Sequence, residues 1–194
     1  KQKMTSENVQ SVQNLPKCLI INGPSGVGKG TIISELQKRY PGKFQFVTSH
    51  TSRSARQGED DGVHYHFVDT MVFKQMIKEK RFLEFTNIYD NYYGTSMEAI
   101  ANISKSKICI LDVDEQGIRN AKALGLQGIY VYIAPPSLKE LEKRLRGRQS
   151  ENEKEIQLRM GYATELDPKL YDTVIYNKDL EESIAIIDSL LSKM

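Results

Sequence analysis

An α/β fold built on a five-stranded parallel core sheet is predicted by three observations. Five short apolar runs lack the in–out alternation of a one-sided sheet, helical patterns separate several of them, and a glycine-rich turn joins the first run to the first helix. The runs are Cys18–Ile21, Phe44–Thr48, Ile108–Leu111, Ile129–Ile133 and Thr173–Tyr176. Continuous apolar or β-branched residues are expected where a sheet is covered on both faces. Helices between the runs imply parallel strands joined by right-handed crossovers.

The helices carry their own punctuation. Ser137-Leu138-Lys139-Glu140 forms a capping box after Pro135-Pro136 and predicts a helix from there. A second box, Ser150-Glu151-Asn152-Glu153, predicts another. Leu180, Ile184, Ile187 and Leu191 share one face of a final helix. Two stretches stand outside the alternation. Residues 49–95 carry short β-prone pieces, among them Val63–Val68, and a helix after Asp69, which predicts a small inserted β/α region of antiparallel strands. Residues Arg144–Arg159 are charged and poor in large apolar side chains, so they contribute little to a core and are free to move. The expected organisation is a flexible leader at 1–15 followed by one domain at 16–194. Within it, 16–48, 96–136 and 163–194 form the core, 49–95 a substrate-binding region and 137–162 a mobile helical lid.

Composition narrows the class. A chain of 194 residues buries a sizeable core without staples. A net charge of +2 is too small to suggest a nucleic-acid surface. Cys18 and Cys109 fall in apolar runs and read as small buried hydrophobes. No stretch approaches the roughly 20 apolar residues that span a bilayer, and the first residues lack the apolar centre of a signal peptide. A cytoplasmic monomer with neither membrane nor nucleic-acid partners is expected.

The chemistry begins at Gly23-Pro24-Ser25-Gly26-Val27-Gly28-Lys29-Gly30-Thr31, between the first apolar run and a helix-compatible stretch. Glycines let backbone N–H groups turn inward, the helix N-terminus adds its positive end, and Lys29 adds a full charge. Such a loop cradles a nucleotide polyphosphate and predicts a P-loop form of the three-layer fold. Position 30 is Gly where the usual pattern has Ser or Thr, and Thr31 follows one residue later. Arg53 and Arg56, three apart in a turn-rich segment, have forks suited to one dianionic phosphate. Asp112 and Asp114 follow the run Ile108–Leu111, at the strand end where ligands bind in open α/β sheets. Two residues apart on a strand, they project to the same side. Glu84 is a lone carboxylate in Arg81-Phe82-Leu83-Glu84-Phe85. His50, His64 and His66 show no metal-ligand spacing.

The segment Ser49-x-Thr51-x-Arg53-x-x-Arg56-x-Gly58-Glu59, followed by Gly62 and Tyr65-x-Phe67, resembles the GMP-binding segment of guanylate kinases. The glycine-rich loop, Asn91-Tyr92-Tyr93-Gly94 and Asp112-Val113-Asp114-x-Gln116-Gly117 fit the same family in the same order, and the resemblance runs from about Cys18 to the C-terminus. It implies that Arg53, Arg56, Tyr65 and Tyr93 hold the GMP phosphate, and that Ser49, Glu84, Thr95 and Asp114 read the guanine. Thr95 stands where Ser is frequent. Carboxylates suit this base, because guanine offers an N1–H and an amino group on one edge, where adenine's N1 has a lone pair. Arg144-Leu145-Arg146-Gly147-Arg148 with Arg159 resembles the family's lid. Arg144 and Arg159 are thereby implied at the transferring phosphoryl group, Arg148 beside adenine or its phosphates, and Arg146 in solvent. Asn177 matches an adenine-side position, although Lys178 replaces the Asp often found after it.

The resulting expectation is transfer of the γ-phosphoryl of MgATP to GMP. Residues 23–31, Arg148 and Asn177 would bind ATP. Lys29, Arg53, Arg144, Arg148 and Arg159 would act on the reacting phosphates, and Asp112 would hold Mg²⁺ through water. Two alternatives remain at this level: a guanylate-kinase-like binding module without catalysis, and a small kinase with another acceptor such as AMP.

Overall fold

A computed structural model describes residues 15–88, 90–147, 153–162 and 166–193. The chain forms strands β1 (Cys18–Asn22), β2 (Phe44–Phe46), β3 (His50–Thr51), β4 (His66–Phe67), β5 (Phe82–Ile88), β6 (Asn91–Ser96), β7 (Ile108–Asp112), β8 (Gly128–Ala134) and β9 (Thr173–Tyr176). The helices are α1 (Lys29–Arg39), α2 (Thr70–Lys78), α3 (Met97–Ala101), α4 (Glu115–Leu124), α5 (Leu138–Gly147), α6 (Glu153–Tyr162) and α7 (Leu180–Leu191). A five-stranded, all-parallel sheet has the order β2-β7-β1-β8-β9, and a four-stranded mixed sheet the order β4-β3-β6-β5. The predicted fold class is therefore observed. Cys18 to Ile21 and Ile129 to Ala134 are buried at every position, the burial that forbids alternation. Cys18 and Cys109 are buried and unbridged.

Two compact units can be drawn among the described residues. One comprises residues 15–18 and 45–127. The other comprises 19–44 and 128–193. In the first, Phe73 of α2 is fully buried and stacks on Phe82 at 4.4 Å between ring centroids. Met76, Leu83, Ile100 and Ile103 of the same unit are buried as well. Asp69 caps α2 by accepting from Met71 N at 2.7 Å, and Ser96 caps α3 by accepting from Ala99 N at 3.0 Å. The region differs from its predicted form in two ways. Within Val63–Val68 only His66 and Phe67 are strand, and β4 runs parallel to β3 while the other pairings are antiparallel. Gly62 N donates to Tyr65 O at 2.8 Å and Asp61 accepts from Phe67 N at 2.8 Å, so turns occupy the chain before β4.

In the second unit, Ser137 caps α5 by accepting from Glu140 N at 3.1 Å, and Asp179 caps α7 by accepting from Glu182 N at 3.0 Å. Ile184, Ile187 and Leu191 of α7 are buried as their spacing predicts. The second predicted cap, Ser150, lies outside the described residues, and α6 is described from Glu153. No helix among the described residues is long and apolar enough to cross a membrane.

Candidate functional site

In the unit of residues 45–127, β5 and β6 pair with an irregularity at Leu83, so Phe82 faces Ser96 and Glu84 faces Thr95. A bulge of this kind re-aims the residue that follows it. Glu84 Oε1 accepts from Thr95 N at 3.0 Å. Thr95 is buried, and its hydroxyl lies 3.3 Å from that of Ser49. Helix α4 backs this cluster. Asn120 Nδ2 donates to Leu83 O at 2.6 Å, and a Cβ on Gly117 would stand 2.9 Å from Glu84 Cγ. Burial foremost, helped by the nearby Asp114 and Asp112 charges and opposed by the bonds from Thr95, pushes the Glu84 carboxyl up to about 6. Asp114 is also the N-cap of α4, accepting from Gly117 N at 2.8 Å. Its carboxylate is exposed, as is that of Asp112. The fold thus brings Ser49, Glu84, Thr95 and Asp114 together.

The predicted phosphate ligands assemble in the same unit. Arg53 reaches Glu59 through two parallel bonds, Nη1 to Oε2 at 2.7 Å and Nη2 to Oε1 at 3.0 Å. Its guanidinium also lies 5.4 Å from the Tyr65 ring centroid, and after Glu59 the nearby Tyr93 hydroxyl helps to hold its charge. The rings of Tyr65 and Tyr93 meet edge to face at 6.0 Å. Glu59 Oε2 accepts from Arg56 N at 2.7 Å, so one carboxylate braces both arginine positions. Arg53 and the Arg56 N–H together hold that carboxyl down at about 2. Thr51 and Ser52 tie the arginine loop to β6: Thr51 Oγ1 donates to Tyr92 O at 2.9 Å, and Ser52 Oγ accepts from Tyr92 N at 2.9 Å. The Arg56 side chain is exposed. Of the histidines, His50 meets His66 in a tilted contact at 4.7 Å between ring centroids, and burial foremost pushes its imidazole down to about 4.

In the other unit, the loop between β1 and α1 carries the predicted cradle. Gly28 caps α1 with φ of 107°, a left-handed conformation that favours glycine, and supplies no side-chain cap. Gly28 thus offers the first N–H groups of α1 no capping side chain of its own, and the N-terminal end of a helix suits an anion. Lys29 Nζ donates to Gly23 O at 2.6 Å. Arg144 donates from Nε to Glu140 at 3.1 Å, from Nη1 to Val27 O at 3.1 Å and from Nη2 to Asn177 O at 3.2 Å. Arg159 Nη1 donates to Ser25 Oγ. Arg144, Arg159 and Asn177 therefore all touch the loop or its support. Arg148 lies outside the described residues. Arg146, expected in solvent, is about half exposed but paired with Glu142 and Glu153.

The family model for guanylate kinase matches residues 15–194. The chain belongs to the guanylate kinase family. Guanylate kinase 1 of Oryza sativa subsp. japonica is 48% identical over 182 residues, covering 91% of this chain and 48% of that protein. The chain thus spans about half the length of this relative, and likewise of guanylate kinase 1 of Arabidopsis thaliana. Guanylate kinase of Homo sapiens is 39% identical over 184 residues, covering 92% of this chain and 93% of that protein. The crystal structure of guanylate kinase from Anaplasma phagocytophilum matches with a TM-score of 0.64 and 25% identity, over 94% of this chain and 88% of that one.

Within this chain, several supporting residues escape a reading of the sequence for ligand contacts. Glu59 was visible as part of the motif, yet its bracing of Arg53 and Arg56 was not. Ser52, Gly117, Asn120 and Ser183 act on other protein groups. Only the glycine, placed inside a helical pattern, carries a local signal of close approach.

Proposed function

We propose that the chain transfers the γ-phosphoryl group of MgATP to GMP, giving ADP and GDP. One observation carries the reading: a single compact unit holds both an acceptor-rich cluster of Glu84, Asp114, Ser49 and Thr95 and a second cluster that joins the cations Arg53 and Arg56 to the hydroxyls of Tyr65 and Tyr93. The first suits the donor edge of guanine, and the second a dianionic phosphate. A site built on such acceptors rejects a base lacking the donors by roughly 10⁴-fold at best, because its buried polar groups then go unpaired. The many relatives named guanylate kinase agree with this reading.

An oxygen of the GMP phosphate attacks Pγ in line, the bond from Pγ to the β–γ bridging oxygen breaks, and ADP leaves with that electron pair. The protein's contribution is placement and charge. The loop N–H groups and Lys29 hold the ATP phosphates, Arg53 and Arg56 the acceptor phosphate, and Arg144 and Arg159 the charge developing on the transferred group. Residues 137–162 serve as the lid that excludes water.

Among the described residues no group of three or more His, Cys, Asp or Glu is placed to hold a metal. This suits Mg²⁺, which keeps most of its water and is bound through one or two carboxylates plus substrate phosphates. Asp112 is the carboxylate that would hold it, through water, and the ion would neutralise phosphate charge.

Coupled ADP release with GMP, dGMP, AMP and UMP as acceptors tests the assignment. GMP is expected to be strongly preferred. Lys29→Ala is expected to lower kcat by about 10² or more, the loss typical of a charge-stabilising donor. Near-normal turnover in that variant, or equal rates with AMP, overturns the proposal.

A further inference from the structure

Asn177 and Ser183 stand behind the phosphate loop rather than in it, and both are buried. Asn177 Nδ2 donates to Val27 O at 2.8 Å, and Ser183 Oγ donates to Asn177 Oδ1 at 3.0 Å. The Ser183 hydroxyl also lies 2.8 Å from Asp179 O, so its single proton is shared between two acceptors. These contacts fix which end of the Asn177 amide faces the loop. Arg144 Nη1 makes the second bond to Val27 O. On its other side Asn177 is held by the main chain, its N–H donating to Ala134 O at 2.9 Å. There is no spare room: a Cβ on Gly28 would stand 2.6 Å from Asn177 Nδ2.

The consequence follows from peptide geometry. Val27 O and the Gly28 N–H belong to one planar trans peptide, so they point in opposite directions. Two donors that capture Val27 O from behind therefore aim the Gly28 N–H away from Asn177, at the N-terminal end of α1. We infer that Ser183 is a positioning residue for the phosphate loop, acting through Asn177 on the Val27–Gly28 peptide. It orients a loop N–H group toward a polyphosphate that Ser183 itself never touches. The identity of that ligand as MgATP rests on the reading proposed above.

The test compares Ser183→Ala with Ile187→Val, a second cavity-forming change at a fully buried position of the same helix, outside the hydrogen-bond chain. Two measurements are made on each protein: the backbone amide order parameters and shifts of Gly28 and Lys29 without ligand, and the Kd values of MgATP and GMP by calorimetry. Ser183→Ala is expected to lower the Gly28 order parameter and raise the MgATP Kd about fivefold, the weight of one hydrogen bond. The GMP Kd should stay at the wild-type value. Ile187→Val should lower the melting temperature but leave Gly28 and the MgATP Kd unchanged. Unaltered Gly28 signals in Ser183→Ala overturn the inference, and so do equal losses in both variants. Should the wild-type protein bind no MgATP, the kinase reading falls, while the Gly28 signals still decide the role of Ser183.

Discussion

Glu84 is a carboxylate held where an anion is poorly solvated, and its pKa near 6 is the measure of that. A group whose folded-state pKa exceeds its ordinary value of 4.5 favours folding fully below that value and loses the contribution as pH rises through 6. At pH 7 its ionisation in the folded state thus costs about 2 kcal/mol. Glu84→Gln is accordingly expected to stabilise the ligand-free protein at pH 7 by as much as about 2 kcal/mol and to have little effect at pH 4, as read from urea denaturation at both values. The same substitution removes an acceptor that the proposed guanine site needs. Between pH 5 and 7.5 the GMP affinity of the wild type should rise about tenfold more than that of Glu84→Gln, because only the ionised carboxylate accepts from both guanine donors. The phosphate of GMP titrates in the same range, and the variant isolates its share. A parallel rise in both proteins would show that Glu84 does not meet the base. Glu59 behaves in the opposite sense. With its carboxyl lowered to about 2, first by Arg53, its contribution is present above 4.5 and is lost only as pH falls through 2, so the Arg53 brace persists across the whole assay range.

At the scale of elements, α4 is what places Glu84. Gly117 lets the helix approach so closely that a Cβ there would meet Val113 Cβ at 2.8 Å and Glu84 Cγ at 2.9 Å. Gly117→Ala is expected to destabilise by about 1–3 kcal/mol through overpacking. It should also raise KM for GMP several-fold while KM for MgATP stays constant, measured by steady-state kinetics with each substrate varied. Gly30 is the contrasting case. Nothing lies within 4 Å of a Cβ added there, so Gly30→Ala in the first turn of α1 should raise stability by about 0.5 kcal/mol in thermal or urea unfolding. These two glycines also mark what the sequence made legible. The loop, α1 and the buried strands were readable because apolar runs, glycine spacing and capping residues are local signals. So were Arg53, Arg56, Glu84 and Asp114, through an ordered motif. The bulge at Leu83, the parallel pairing of β3 with β4 and the Asn120 bond to Leu83 O were not readable, because each depends on contacts between residues distant in sequence. Asn177 was legible as a residue of the family pattern, whereas its bond to Val27 O needed the fold.

On the scale of the whole molecule, the residues proposed for GMP and those proposed for the ATP phosphates belong to different compact units. Each ligand should therefore stabilise the chain through its own set of contacts, and the two effects should be separable by substitution. A ligand at 100 times its Kd adds about 2.7 kcal/mol to folding stability if it binds the native state alone. For a chain of this length that corresponds to a rise in Tm of roughly 5–10 °C. GMP and MgATP, added singly, should each produce such a rise in the wild type. Arg53→Ala should lose most of the GMP shift and keep that of MgATP, because it removes a phosphate ligand braced by Glu59 and leaves the loop around Lys29 untouched. Lys29→Ala should show the reverse pattern. AMP, which presents a lone pair where guanine presents N1–H, should match the GMP shift in neither protein. Were Arg53→Ala to abolish both shifts, the two ligand sets would not act independently, and the division of labour between residues 45–127 and the phosphate loop would have to be abandoned.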